Sequence, residues 1–147
     1  MNRRQSREAG FLIAFEQSFT CQNAEAIAEL AKEYREFEFD AYSLVLAKGV
    51  AENREQIDRL ISENLKDWKL GRISKVSLAI LRCCIYEFRI GKTVPEEIAI
   101  NEAVELSKKY SMPEDTSFVN GVLGSISRSE KNENKKEEEP GEKKQDE

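Results

Sequence analysis

Histidine is absent from all 147 residues, and no other absence removes as much chemistry. Without imidazole there is no Ser-His or Cys-His pair and no histidine metal ligand. Cysteine is scarce. Cys21, Cys83 and Cys84 are odd in number and lack CxxC spacing, which argues against a disulfide framework and against zinc. They read as small apolar side chains in a reducing cytosol. Seven glycines and three prolines are few for a loop-rich or all-β chain and ordinary for a helical one. No apolar run approaches the roughly 20 residues of a membrane span. Phe11-Leu12-Ile13-Ala14-Phe15 is also shorter than the ~7–15-residue core of a secretory signal. A cytoplasmic protein with no membrane partner is expected. Glycine-rich phosphate loops, nucleophile elbows and metal-ligand spacings are missing too. No catalytic residue, metal or cofactor is therefore assigned, and the expectation is a protein that binds rather than catalyses.

What is present is a globular mixture, 39% hydrophobic and 35% charged, long enough for one domain or two closely packed helical halves. The net charge of −5 argues against non-specific nucleic-acid binding. Its distribution is uneven: residues 130–147 contribute −3, whereas the first seven residues carry +3. That last stretch, from Glu130 to Glu147, has no aliphatic or aromatic side chain and cannot bury enough apolar surface to offset its ordering entropy. It reads as a disordered charged tail.

Upstream the periodicity is helical. Ala9, Leu12, Ile13, Phe15 and Phe19 define one apolar face, and residues 24–35 are rich in good helix formers. A long stripe follows, Leu46, Ala47, Val50, Ile57, Leu60, Ile61 and Leu65, with Asp40 as its N-cap. From Ile73 to Ile90 the chain is apolar almost all round, the mark of a central buried helix that Gly91 ends. Val94-Pro95-Glu96-Glu97 opens another helix, with proline where the orphan N–H is not missed and carboxylates at the positive end of the dipole. Met112-Pro113 breaks the pattern. Asp115-Thr116-Ser117 then supplies caps for a last short helix carrying Phe118, Val119, Val122, Leu123 and Ile126. The fold class is all-α: a body over residues 1–129, in halves of about 1–65 and 68–129 joined through Lys66–Gly71, and the tail.

Two constellations stand out. Arg3, Arg4 and Arg7 open the first helix at spacings that put them on one face, with Phe11 on their side rather than with the core. A basic face beside an aromatic suits phosphate contact and base stacking; an ordinary solvated face is the plainer alternative. In the buried helix, Arg82 and Glu87 interrupt the apolar run, and Lys75, Arg82, Tyr86 and Arg89 trace a polar stripe. This is either an exposed edge with a local ion pair or a docking surface for another protein. Glu96/Glu97, Glu102/Glu105 and Glu114/Asp115 read as surface or capping carboxylates.

Arg72-Ile73, Leu81-Arg82 and Tyr86-Glu87-Phe88, then Val94-Pro95 with Ile100-Asn101-Glu102-Ala103-Val104-Glu105-Leu106, then Phe118-Val119-Asn120-Gly121-Val122-Leu123, in that order, closely resemble the NusB family of bacterial transcription antitermination factors. The resemblance covers residues 3 to about 126. It implies two small helical bundles packed across each other. It also implies binding of single-stranded boxA RNA from ribosomal-operon leaders together with the ribosomal protein NusE, within the RNA polymerase antitermination complex. Carried over by position, Arg3, Arg4, Arg7, Lys108 and Phe118 fall on the RNA side, with Lys109 adding charge beside Lys108. Phe15, Arg82 and Glu87 fall on the NusE side. The arginine motif is short here, interrupted by Gln5 and Ser6, and Glu114-Asp115 sets negative charge near Phe118. A homodimer that hides the basic face is an alternative assembly among such proteins. Rival readings are a purely protein-binding helical adaptor and a stand-alone relative of the N-terminal domain of ribosomal-RNA cytosine methyltransferases.

Overall fold

A computed structural model of the chain describes residues 1–66 and 70–146, with side chains through Ser129. Every helix start has a local cause. Helix α1 (Arg3–Gln17) opens on a reciprocal cap: Gln5 N–H donates to the Asn2 side chain at 2.8 Å while Asn2 N–H donates to the Gln5 side chain at 2.9 Å. Helix α2 (Ala24–Glu33) is capped by Asn23, which accepts from Ala26 N–H. Helix α3 (Ala41–Glu52) starts at Asp40 as expected, with Ser43 N–H donating to its carboxylate at 3.1 Å.

The stripe running on to Leu65 is not one helix. It breaks at Asn53, whose side-chain amide and backbone N–H both donate to the Gly49 carbonyl, and helix α4 (Arg54–Glu63) begins there. Helix α5 (Lys75–Ile85), capped by Ser74, was expected to continue to Ile90. Instead Tyr86–Ile90 is a π-helical turn, closed by Gly91 N–H donating to the Tyr86 carbonyl at 2.8 Å. Helix α6 (Glu96–Tyr110) follows Pro95. Helix α7 (Pro113–Asp146) begins one turn earlier than expected, because proline at a first helical position loses no bond. Its Asp115 accepts from Met112 N–H, so the expected caps serve the helix's own first turn. The expectation of a disordered tail falls on residues whose side chains lie outside the described ones, as does the Trp68 start of the second half.

Among the described residues the architecture is all helix. Helix α5 lies at the centre and packs against α1, α3, α4, α6 and α7. The main core gathers Phe11, Leu46, Val50, Ile57, Ile61, Ile80, Leu81, Ile85, Leu123 and Ile126. A smaller core of Ile13, Ala24, Ile27, Ala28 and Ala47 sits among α1, α2 and α3. Helix α1 thus serves two cores from two faces, and this decides where its arginines go. Cys83 and Cys84 are buried in the main core, where burial pushes both thiols up, while Cys21 is exposed.

Two glycines set the close approaches. A Cβ at Gly10 would stand 2.9 Å from Leu46 Cδ2, so α1 can lie this near α3 only without one. A Cβ at Gly49 would project into the Tyr86 ring. Gly49→Ala is therefore expected to cost about 1–3 kcal/mol and lower the melting temperature by several degrees. An unchanged melt would show that Tyr86 is not held against α3.

Candidate nucleic-acid and partner interface

The three arginines of α1 are not equally exposed, although Arg4 and Arg7 both approach Glu102. Arg3 is exposed, its guanidinium 3.7 Å from the centre of the Tyr42 ring. Arg4 is also exposed and forks onto Glu102 of α6, Nε to Oε2 at 3.0 Å and Nη2 to Oε1 at 3.1 Å. Arg7 is buried, 5% exposed, and its Nε donates to both Glu87 oxygens at 2.8 and 3.0 Å. Burial pulls the Arg7 guanidinium toward neutrality. The hydrogen bond and charge of Glu87, with Glu102 behind them, outweigh this and leave its pKa raised. Phe11 shares a face with Arg7 as the spacing indicated, but that face turns inward: Phe11 is 1% exposed, in the main core. The expectation of Phe11 beside a solvated arginine face is corrected accordingly, because α1 buries two faces rather than one.

Glu87 is the hub of this network, itself 1% exposed. Besides Arg7 it accepts from the Tyr42 hydroxyl at 2.5 Å, and Tyr42 meets Thr93 Oγ1 at 3.0 Å. Burial, then the bond to Glu87, pushes the Tyr42 phenol up to about 12. Arg82 is likewise buried, donating from Nε and Nη2 to the two Asp58 oxygens of α4 at 2.8 and 2.9 Å. Arg82 and Glu87, expected to face a partner, are instead themselves buried and paired with Asp58 of α4 and Arg7 of α1. Nor is the polar stripe an exposed edge: Lys75 is exposed, Tyr86 wedges against Gly49, and Arg89 is half-buried. Of the partner-side residues, Phe15 remains near the surface, half-buried and edge-on to the exposed Phe19 at 5.1 Å between ring centres.

On α6, Lys109 donates to both Glu8 oxygens, at 2.5 and 3.0 Å, and the Tyr110 hydroxyl joins at 2.7 Å. Burial would raise the Glu8 carboxyl, but these two donors outweigh it and hold the pKa below the usual range. Lys108 is exposed and reaches Glu105 at 3.4 Å. Arg4–Glu102 and Glu8–Lys109 thus lace α1 to α6 at two points. The structure brings Arg4 to the surface of this seam, with Lys109 along it and Lys108 beside Lys109, while Arg3 lies against Tyr42 of α3. Phe118 is half-buried on α7 and lines a different cleft, of about 290 Å³, with Arg72, Ile73, Ser74, Ser77, Glu114 and Asp115.

Sequence reasoning missed Tyr42, Phe19 and the role of Glu102. Only Glu102 carries a signal, its place in the Ile100–Leu106 motif, while its pairing with Glu105 reads as a surface or capping carboxylate. Tyr42 depends on which face of α3 meets α1, and Phe19, expected on the apolar face, lies beyond the end of α1 at Gln17 and is exposed.

Fold and site define an all-helical protein whose arginine-bearing first helix is laced to its sixth by ion pairs. The pattern of the NusB family matches residues 4–128, and the chain belongs to that family. It is 40% identical over 142 residues to the transcription antitermination protein NusB of Clostridium botulinum (strain Kyoto / Type A2), covering 86% of this chain and 99% of that one. T. maritima NusB superposes with a TM-score of 0.75 at 32% identity, over 87% of this chain and 92% of that one. A crystal structure of the antitermination factors NusB and NusE in complex with dsRNA gives a TM-score of 0.74 at 27% identity, over 86% and 96%.

Proposed function

We propose that this chain is an RNA-binding transcription antitermination factor: it binds boxA-like single-stranded RNA of ribosomal operons together with NusE, in the cytoplasm, as part of the RNA polymerase antitermination complex. It acts as an adaptor and not as an enzyme. The observation that carries the reading is the exposed Arg3/Arg4 pair on a NusB-family body whose fold matches a NusB–NusE assembly with RNA. Arg3, Arg4, Lys108 and Lys109 contact phosphate, and Phe118 stacks on a base. Arg7, held by Glu87, positions the arm rather than touching RNA. Phe15 and the exposed Phe19 face NusE. The test is a titration of labelled boxA-like RNA with the protein alone and with NusE added. Tighter binding in the presence of NusE is expected; no binding in either condition overturns the reading.

Phe118→Ala is expected to weaken RNA binding by about 1–3 kcal/mol with little change in salt dependence, as loss of a stacking platform does. Because Phe118 is half-buried, its melting curve is recorded alongside. Equal affinity in the folded variant removes Phe118 from the RNA surface.

A further inference from the structure

We infer that the cleft between the starts of α5 and α7 is a binding site for one unpaired nucleotide, its base on Phe118 and its phosphate on Arg72, an inference that rests on the RNA reading above. Four observations meet there. The cleft's 290 Å³ lies just below the roughly 300–1,000 Å³ typical of small-molecule sites, room for part of a single nucleotide rather than a folded partner. Ser77 is 1% exposed, stands at the cleft wall, and its hydroxyl oxygen has no hydrogen-bond partner. Buried hydroxyls without partners are rare because desolvation is then uncompensated, so this one suits a polar ligand group.

The first turn of α5, an 11-residue helix, supplies the adjoining wall through Ser74 and Ser77, and its N-terminus favours negative charge. Arg72 lines the same cleft, exposed and with no ion pair among the described residues. Arg4, Lys108 and Lys109, by contrast, are each already held by a carboxylate. Arg72 can therefore take a phosphate without first giving up an internal partner.

Glu114 and Asp115 form the opposite rim, and Asp115 already accepts from Met112 N–H. Two carboxylates disfavour a free, doubly charged phosphate. They accept donors on a base edge, so the site suits a nucleotide within a strand, where each phosphate carries one charge.

The test uses the full chain and a single-stranded boxA-like RNA titrated at several salt concentrations, with inorganic phosphate as a separate probe. Arg72→Ala is expected to flatten the log–log salt slope by about 0.7, the share of one phosphate on a single strand, with the melting temperature unchanged. Ser77→Ala removes only the unpartnered hydroxyl. It is expected to leave the melt unchanged or higher while weakening RNA binding about three- to tenfold. Inorganic phosphate alone is expected not to shift the Ser77 or Arg72 amide resonances. If the wild type binds RNA while both variants match it in affinity and slope, the nucleotide site is wrong and the RNA reading stands. Loss of NusE association by Arg72→Ala, with RNA binding intact, would make the cleft a protein-docking site and equally overturn the inference. A wild type that binds no RNA removes both.

Discussion

Glu87→Ala is expected to cost about 3–5 kcal/mol of folding stability, because it strands the Arg7 guanidinium in the interior without its counter-charge. Tyr42 loses its acceptor in the same step. Against a total of roughly 5–15 kcal/mol for a domain, that leaves a marginal protein. Glu87→Lys is expected to be worse, since two cations then share one buried site. The pairing itself is testable in a double-mutant cycle. Arg7→Met with Glu87→Leu replaces both charges by apolar groups and is expected to recover most of the loss, because a well-packed apolar pair can match a buried ion pair. Thermal and urea melts of the three variants decide it. A Glu87→Ala protein as stable as wild type that fails only to bind NusE would restore Glu87 as a docking residue.

Phe11→Ala carries an effect of similar size, about 3–5 kcal/mol, since a fully buried phenyl leaves a cavity at the meeting of α1 and the main core. The expected pattern is a large fall in melting temperature with RNA affinity unchanged per folded molecule. A small thermal effect with a large loss of RNA binding would place Phe11 on the surface as a stacking residue, contrary to its position here.

These two residues also mark where sequence reasoning stops. Asp40, Pro95, Gly91 and Met112-Pro113 act through their own backbone and nearest turn, so the starts of α3 and α6, the end of the central helix and the break before α7 were legible. Helix α5 reads as buried because its apolar residues run all round, whereas the fold as a whole was implied by the family resemblance. Arg7 and Glu87 were not legible as a pair, because 80 residues separate them and only the fold that sets α1 against the π-helical turn after α5 makes them neighbours. Arg82 and Asp58, 24 apart on neighbouring helices, were hidden likewise. A charged residue in an apolar run reads as surface, yet Arg82 and Glu87 are buried and each has an ion-pair partner elsewhere in the chain. The break at Asn53 escaped because the stripe keeps its spacing across it, and the change of direction comes from a side-chain bond to Gly49. On the RNA side, Arg3 and Arg4 are exposed, which a basic RNA-facing surface needs and an ordinary solvated face shares, but Arg4 is also held by a carboxylate of α6.

The central claim is that the surface arginines of α1 bind RNA phosphate, and a salt titration tests it most directly. Binding of the wild type to boxA-like single-stranded RNA, with and without NusE, is measured from low to physiological salt beside an Arg3→Ala/Arg4→Ala double variant. Both side chains are exposed, so the variant is expected to stay folded. If each arginine neutralises one phosphate, the double variant should bind more weakly and show a log–log slope shallower by about 1.4. A double variant that matches the wild type in affinity and slope, with NusE and without it, would contradict the account.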